Sequence, residues 1–391
     1  MNQIKSNRIE SLDLLKGFIM VIMALDHVRS YIHFDAFFFS PTDPENTNTA
    51  LFFTRWITHY CAPVFSLLAG ISAYLIGRRK TKSELSLFLL KRGIWLIFVD
   101  LVIVNFAWYF DTHFGTISLL VFWFLGISMI FLAVLIHLPL MYVLIISVIV
   151  ILGHNALDYL TIEKSIFWSI LHEFSFFPFE SGKLLFVGYP IVPWIGVMSL
   201  GYYFGSFYES NIAPVRRQKL FKVIGALTIL AFLVIRLING YGNLNYWKSF
   251  DTVLQSAFSF LAPAKYPPSL TYLLMTLGPA LLILAYTENV KGKVVGFFSV
   301  FGKVPFFFYV IHLYIIHALA LLLAWGTGFG WQKMIITSGW VTSTPELKGY
   351  GLSLWYVYLI WISVIILLYP ICKKFSSYKL NHKEKKWLSY L

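Results

Sequence analysis

From residue 12 to residue 372 the chain is dominated by apolar runs too long and too frequent for a soluble core. Ten can be drawn, at about 12–34, 54–77, 93–112, 117–137, 138–154, 188–207, 222–240, 268–287, 303–325 and 351–372. About 20 apolar residues in a helix cross the hydrocarbon of a bilayer. Backbone polar groups find no water there, so each span has to satisfy its own, and helices do so. The expected fold class is therefore all-α, a polytopic integral membrane protein of about ten transmembrane helices. The composition agrees, since only 13% of residues are charged, against about 25% in soluble domains. The sequence HLP at 137–139 splits the fourth run from the fifth, because proline breaks a helix.

The net charge of +13 does not point to nucleic acid, because the basic residues collect between the spans. With a cytoplasmic N-terminus, 21 of the 31 Lys and Arg residues face inward. They include Lys5, Arg8, the RRKTK run at 78–82, the 216–222 cluster and six lysines of the tail 373–391. The outer loops hold six (Lys164, Lys183, Lys248, Lys265, Lys333 and Lys348), and four lie within spans. This positive-inside bias predicts an even number of spans with both termini cytoplasmic. The first span reads as a retained signal anchor rather than a cleaved leader. No repeat or linker divides the chain, so residues 1–391 are expected to form one membrane domain. Cys61 and Cys372 both sit in apolar runs, which speaks against a disulfide framework.

Ionisable residues inside spans are costly and mark candidate sites. The first span contains KGFIMVIMALDHVR, residues 16–29. Lys16 and His27 are eleven residues apart, which places them on nearly one helix face, about 16 Å apart along the axis. Asp13 can pair with Lys16, and Asp26 with Arg29. In the second span Arg55 and His59 share a face and start at the depth of His27. Pro63 and Gly70 imply a kink and close packing there. In the sixth span the prolines of YPIVPWIG mark either irregular backbone lining a cavity or a helix start at the interface. His312 lies near the middle of the ninth span, and His317 points about 140° away from it. Asp100 is expected to pair with a basic residue of a neighbouring helix, while Asn105 and Arg236 have no assigned role. Histidines at one depth fit proton movement, either as general base or as relay. That leaves an intramembrane acyl-transfer enzyme and a proton-coupled transporter or flippase both open. No HExxH-like spacing supports a metal.

The stretch SLDLLKGFIMVIMALDH resembles the opening of the transmembrane acyltransferase superfamily, with Lys16 at the usual arginine and His27 at the polar position eleven residues on. Four further stretches continue the resemblance in order. They are RWITHYCAPVFSLLAGISAYLIGRR, YPIVPWIGVMSLGYYFG, KYPPSLTYLLMTLGPALLIL and FGKVPFFFYVIHLYIIH. Together they are similar to the heparan-alpha-glucosaminide N-acetyltransferase catalytic-domain family and its bacterial relatives, over about residues 8–325. The resemblance implies transfer of an acetyl group from cytoplasmic acetyl-CoA, a co-substrate, to a sugar amine or hydroxyl on the far side of a bacterial cytoplasmic membrane. No permanently bound cofactor is implied. The partners are the acyl-CoA, a glycan-type acceptor and the lipid, and a homodimer is left open. His27 is the expected general base, with His59 orienting it or carrying the proton. Arg55 stabilises the oxyanion. Lys16 and the inner bases hold the donor phosphates, Tyr189 and Trp194 hold the pantetheine arm, and His312 lines the same cavity. Asp26 is counted with the binding residues. In the lysosomal member the proposed catalytic histidine lies in the loop after the first span, where this chain offers His33.

Overall fold

The computed structural model describes residues 9–389; Lys5 and Arg8 lie outside the described residues. Helix α1 runs Glu10–Ile32 and is followed by a loop with a 3-10 turn at Phe34–Phe37. The second apolar run is two helices, α2 (Thr49–Thr58) and α3 (Cys61–Gly77). The kink expected near Pro63 thus falls at His59 and Tyr60. A regular helix would bond the His59 carbonyl to the N–H four residues on, and Pro63 has none. The Tyr272 hydroxyl donates to that carbonyl instead, at 2.7 Å. Pro63 itself sits in the first turn of α3, where it costs little.

Helix α4 (Lys82–Val99) opens with a capping box between Thr81 and Glu84. It widens into a π turn at Asp100–Val104 and continues as α5 (Asn105–Tyr109). Helices α6 (Val121–Leu135) and α7 (Leu140–Gly153) are separated at the break that Pro139 implied. A short α8 (Ile166–Leu171) precedes α9 (Val192–Gly205). Then come α10 (Pro214–Ile238), α11 (Val253–Leu261), α12 (Leu270–Thr287), α13 (Lys293–Lys303), α14 (Pro305–Gly326) and α15 (Leu354–Asn381). Pro193 occupies the first turn of α9, so YPIVPWIG starts a helix rather than interrupting one.

The fold is mostly helical but not all-α. Strands β1 (Thr116–Leu119), β2 (Ser175–Pro178) and β3 (Leu184–Val187) form a sheet in the order β1-β3-β2. β3 is parallel to β1 and antiparallel to β2. The run placed at 117–137 therefore begins as strand and becomes helix only at Val121. Asp100 and Asn105 explain the switch. The buried Asp100 carboxylate accepts the N–H groups of Leu120 and Phe122, at 2.8 and 3.0 Å, and so caps α6. It answers a helix N-terminus, not the basic side chain expected. Asn105 bonds both the N–H and the carbonyl of Ser118 in β1.

Each of the ten apolar runs carries helix. Among the described residues, six helices are long and apolar enough to cross a membrane: Thr49–Gly77, Leu140–Tyr159, Pro214–Ile238, Leu270–Thr287, Pro305–Gly326 and Leu354–Asn381. Helices α6 and α9, with 15 and 14 residues, are shorter than about 20. Helix α1 is central, packing on α2, α3, α12, α13, α14 and α15, and is buried along most of its length. Its polar residues beyond the first, Glu10, therefore face protein. Close approach of α1 to α13 depends on Gly17 and Gly302: a Cβ on either would fall 1.7 or 1.9 Å from a carbonyl oxygen of the other helix. Helices α3 and α9 meet in the same way at Gly70 and Gly201.

Candidate active site

His27 projects from the C-terminal third of α1 toward α14. Its Nδ1 lies 2.7 Å from Nε2 of His312, and Nδ1 of His312 lies 2.8 Å from the Phe308 carbonyl. The ring planes differ by 14° with centroids 4.9 Å apart, so the two imidazoles meet edge to edge. A carbonyl only accepts, so the neutral His312 carries its proton on Nδ1. Its Nε2 then accepts from His27 Nδ1–H, and His27 is left with an unprotonated Nε2. Trp108 and Tyr309 stand edge-on to the His27 ring at 4.9 and 6.1 Å and fix its plane.

His27 lines a cavity of about 580 Å³, within the range of ligand sites. Its walls come from α1, the loop 36–42, α2, His59, the β sheet, the loop 262–266 and Trp340. The cavity holds three basic side chains, Arg29, Arg55 and Lys265, and one carboxylate, Asp26. Asp26 is shared: Arg29 Nη2 donates to it at 3.0 Å, and Arg55 Nη1 donates to its other oxygen. The pairing of Asp26 with Arg29 was expected from their spacing. The link to Arg55 ties α1 to α2. Ahead of the Lys265 loop, the Arg236 guanidinium donates to the carbonyls of Asn245, Ser259 and Phe260 at 2.8–2.9 Å and ties the end of α11 to residue 245. Asn243 Oδ1 accepts from the Ala264 N–H at 2.8 Å. Burial alone would push the Tyr266 phenol up, but Lys265 and Arg55 outweigh it and bring it below its ordinary value.

A second cavity, of about 330 Å³, lies along α1 at its N-terminal half. It is lined by Lys16, Arg92, Lys303 and Lys379, with Asp13 as its one acid. Lys16 Nζ donates to Ser72 at 2.8 Å, which holds the ammonium at this wall. The two cavities have Phe65, Val121 and Tyr309 in common and abut at that neck. Helical spacing had put Lys16 and His27 on one face of α1, and the structure gives each its own cavity along that face.

The sequence model of the family described as "Heparan-alpha-glucosaminide N-acetyltransferase, catalytic" matches residues 8–237, more than half of the chain. The chain belongs to this family. It is accordingly an integral membrane protein of acetyltransferase type. No curated protein matches it.

Within the family-matched segment fall Lys16, Asp26, His27, Arg55, His59, Tyr189 and Trp194; His312 lies beyond it. His27, His59, Arg55, Asp26 and Tyr189 all line the larger cavity. Among the described residues the hydrogen-bond partner of His27 is His312, and no bond joins His59 to His27. His59 Nδ1 is buried without a partner in the described residues. His312 lines neither cavity but stands behind His27, with its Nε2 on His27 Nδ1. Tyr189 belongs to the His27 cavity rather than the Lys16 one, with its hydroxyl 3.3 Å from that of Tyr266. Trp194 lines neither cavity; it is fully buried and stacked on Phe124 at 4.4 Å, which makes it a core residue. His33 is buried 3.8 Å from Asp35 and also lines neither. His317 bonds the carbonyls of Ala107 and Met334, away from His312. Sequence reading missed Tyr309, Trp108 and Lys265. The first two are aromatics among many, and Lys265 read as one more loop cation.

Proposed function

We propose that this protein transfers an acetyl group from cytoplasmic acetyl-CoA to a hydroxyl or amine of a carbohydrate on the opposite side of the membrane. The observation that carries the reading is a histidine held by a second histidine, placed beside the neck between two abutting cavities of different character. The Lys16 cavity has four cations around one acid, as a CoA phosphate requires. Lysine supplies point charge there, where arginine would make a two-pronged contact. The His27 cavity is wider, with aromatic walls and room for a sugar. On this reading the Lys16 end faces the cytoplasm, both termini lie there, and ten helices cross the membrane.

The reaction then runs through groups already in place. The thioester reaches the neck from the Lys16 side. The acceptor X–H attacks the carbonyl carbon and gives its proton to His27 Nε2. The imidazolium keeps its Nδ1–H···Nε2 bond to His312, so protonation needs no change of tautomer. Arg55 is the cation offered to the developing oxyanion. As the C–S bond breaks, the proton passes from His27 to the leaving thiolate, giving the acetylated acceptor and CoA. His59 lines the acceptor side. The transporter reading also draws support from abutting cavities, and it differs in forming no product. Purified protein incubated with radiolabelled acetyl-CoA and a panel of sugars separates the two. Label should appear in a sugar and fall by about 100-fold or more in His27→Ala. Intact acetyl-CoA across the whole panel would rule out the enzyme.

A further inference from the structure

A thioester from the Lys16 side and an acceptor in the His27 cavity can meet only where the two hollows abut. Phe65, Val121 and Tyr309 are the residues that line both. Phe65 and Val121 carry no polar side-chain atom. The Tyr309 hydroxyl is therefore the one polar side-chain group common to both walls among the described residues. Attack on a thioester carbonyl puts negative charge on its oxygen, and that charge needs a donor already in place. An apolar neck sheds the water that would otherwise serve. Arg55 contributes charge from one side, but it lines the larger cavity alone and its Nη1 is given to Asp26. Lys16 lines the smaller cavity alone, with its ammonium given to Ser72. A directed hydrogen bond at the neck has to come from elsewhere.

Tyr309 is buried and held on several sides. Its ring stands edge-on to His27 at 6.1 Å and to His312 at 5.5 Å, and packs on Phe122 at 4.5 Å. Among the described residues no acceptor takes its O–H. The hydroxyl faces the indole N–H of Trp108, which has no hydrogen-bond partner among them either. An indole N–H only donates, so it is offered to the phenol's oxygen and leaves the phenol's proton free to be given. Tyr309 and His312 are three residues apart on α14, on one face of the helix. One helix thus sets both the phenol and the partner of His27.

We infer that Tyr309 is a catalytic residue whose O–H donates to the thioester oxygen during acyl transfer. The inference rests on the acyl-transfer reading above and adds the group that stabilises its oxyanion at the neck. As the acceptor's oxygen or nitrogen bonds to the carbonyl carbon, its proton goes to His27 Nε2. The C=O electron pair moves onto the oxygen, which Tyr309 holds by a hydrogen bond without losing its own proton. The pair returns as the C–S bond breaks, and the His27 proton leaves on the thiol.

The test is full-length Tyr309→Phe, which removes one oxygen and keeps the ring in the neck. Thiol release from acetyl-CoA is followed with a sugar that the wild-type protein acetylates. The expected result is a kcat lower by about 100-fold, as loss of one oxyanion donor gives, with both KM values within twofold of wild type. Affinity for S-acetonyl-CoA, an unreactive ketone that never develops the charge, should not change. Placing 3-fluorotyrosine at 309 restores the O–H and should recover the rate, which also covers a Phe variant that folds poorly. A kcat within threefold of wild type in Tyr309→Phe overturns the inference and leaves acyl transfer standing. So does a raised KM for acetyl-CoA at unchanged kcat, or a fluorotyrosine protein as slow as the Phe variant. Wild-type protein that acetylates no sugar sinks the acyl-transfer reading itself, and this inference with it.

Discussion

Replacing His312 tests the proton chemistry without touching any residue that lines either cavity. In His312→Phe the Nδ1–H of His27 loses its acceptor, Nε2, at 2.7 Å. The loss matters most when His27 holds the acceptor's proton, because the bond is then charge-assisted. Such a bond is worth about 1.5–3 kcal/mol, and each 1.36 kcal/mol is a tenfold change in rate. The expected fall in kcat is thus about 10- to 150-fold. KM for acetyl-CoA should stay close to wild type, since His312 does not line the Lys16 cavity. His312→Gln places an amide oxygen near the lost nitrogen and should recover part of the rate. Both are measured by continuous thiol release, with thermal unfolding as a check on folding. A kcat within twofold of wild type in His312→Phe, in a protein that still depends on His27, would refute the tautomer argument. So would a His312→Gln variant as slow as the Phe variant.

Three further outcomes follow from local geometry. Lys16→Gln should raise KM for acetyl-CoA about five- to tenfold and leave KM for the acceptor alone, as loss of one phosphate contact predicts; steady-state kinetics decides it. Tyr272→Phe leaves the His59 carbonyl with no N–H to replace the hydroxyl, because Pro63 follows four residues later. A loss of about 1–3 kcal/mol in stability is expected, read as a lower melting temperature. Gly302→Ala forces a methyl against the Asp13 carbonyl oxygen, 1.9 Å from where its carbon would be. Helices α1 and α13 have to separate, and the variant should lose most folded yield in detergent while Gly296→Ala, at an open position, does not.

The helices were the legible part of this chain. Apolar length and the Pro139 break fix where helix has to lie, because a bilayer allows little else. His27 and Lys16 were legible for the same reason, as polar groups on one face of an apolar helix. What the sequence concealed depends on backbone groups and on contacts distant along the chain. Asp100 looks like half of an ion pair, yet it caps a helix that begins twenty-one residues later. The β sheet arises where TISL and two segments about 60–70 residues further on come together, and no local pattern announces that. His312 could be placed at depth but not behind His27, since a wheel gives direction and not partner. Trp194 was misplaced because aromatic character is shared by core and cavity wall alike. Lys265 sits in a loop, and only the fold shows that the loop closes over the site.

A membrane tolerates two facing hollows only if whatever separates them holds back ions. Between the Lys16 and His27 cavities stand the side chains of Phe65 and Val121 and one phenol, Tyr309. A constriction of this kind sheds water and so blocks charge. The proposed transfer across the membrane therefore requires these three residues to act as an insulator between the cavities, preserving the potential across the bilayer. On that proposal they part only for the acetyl group, which is itself apolar and keeps the gap dry as it passes. On that account the protein can open its middle once per turnover without discharging the membrane that holds it.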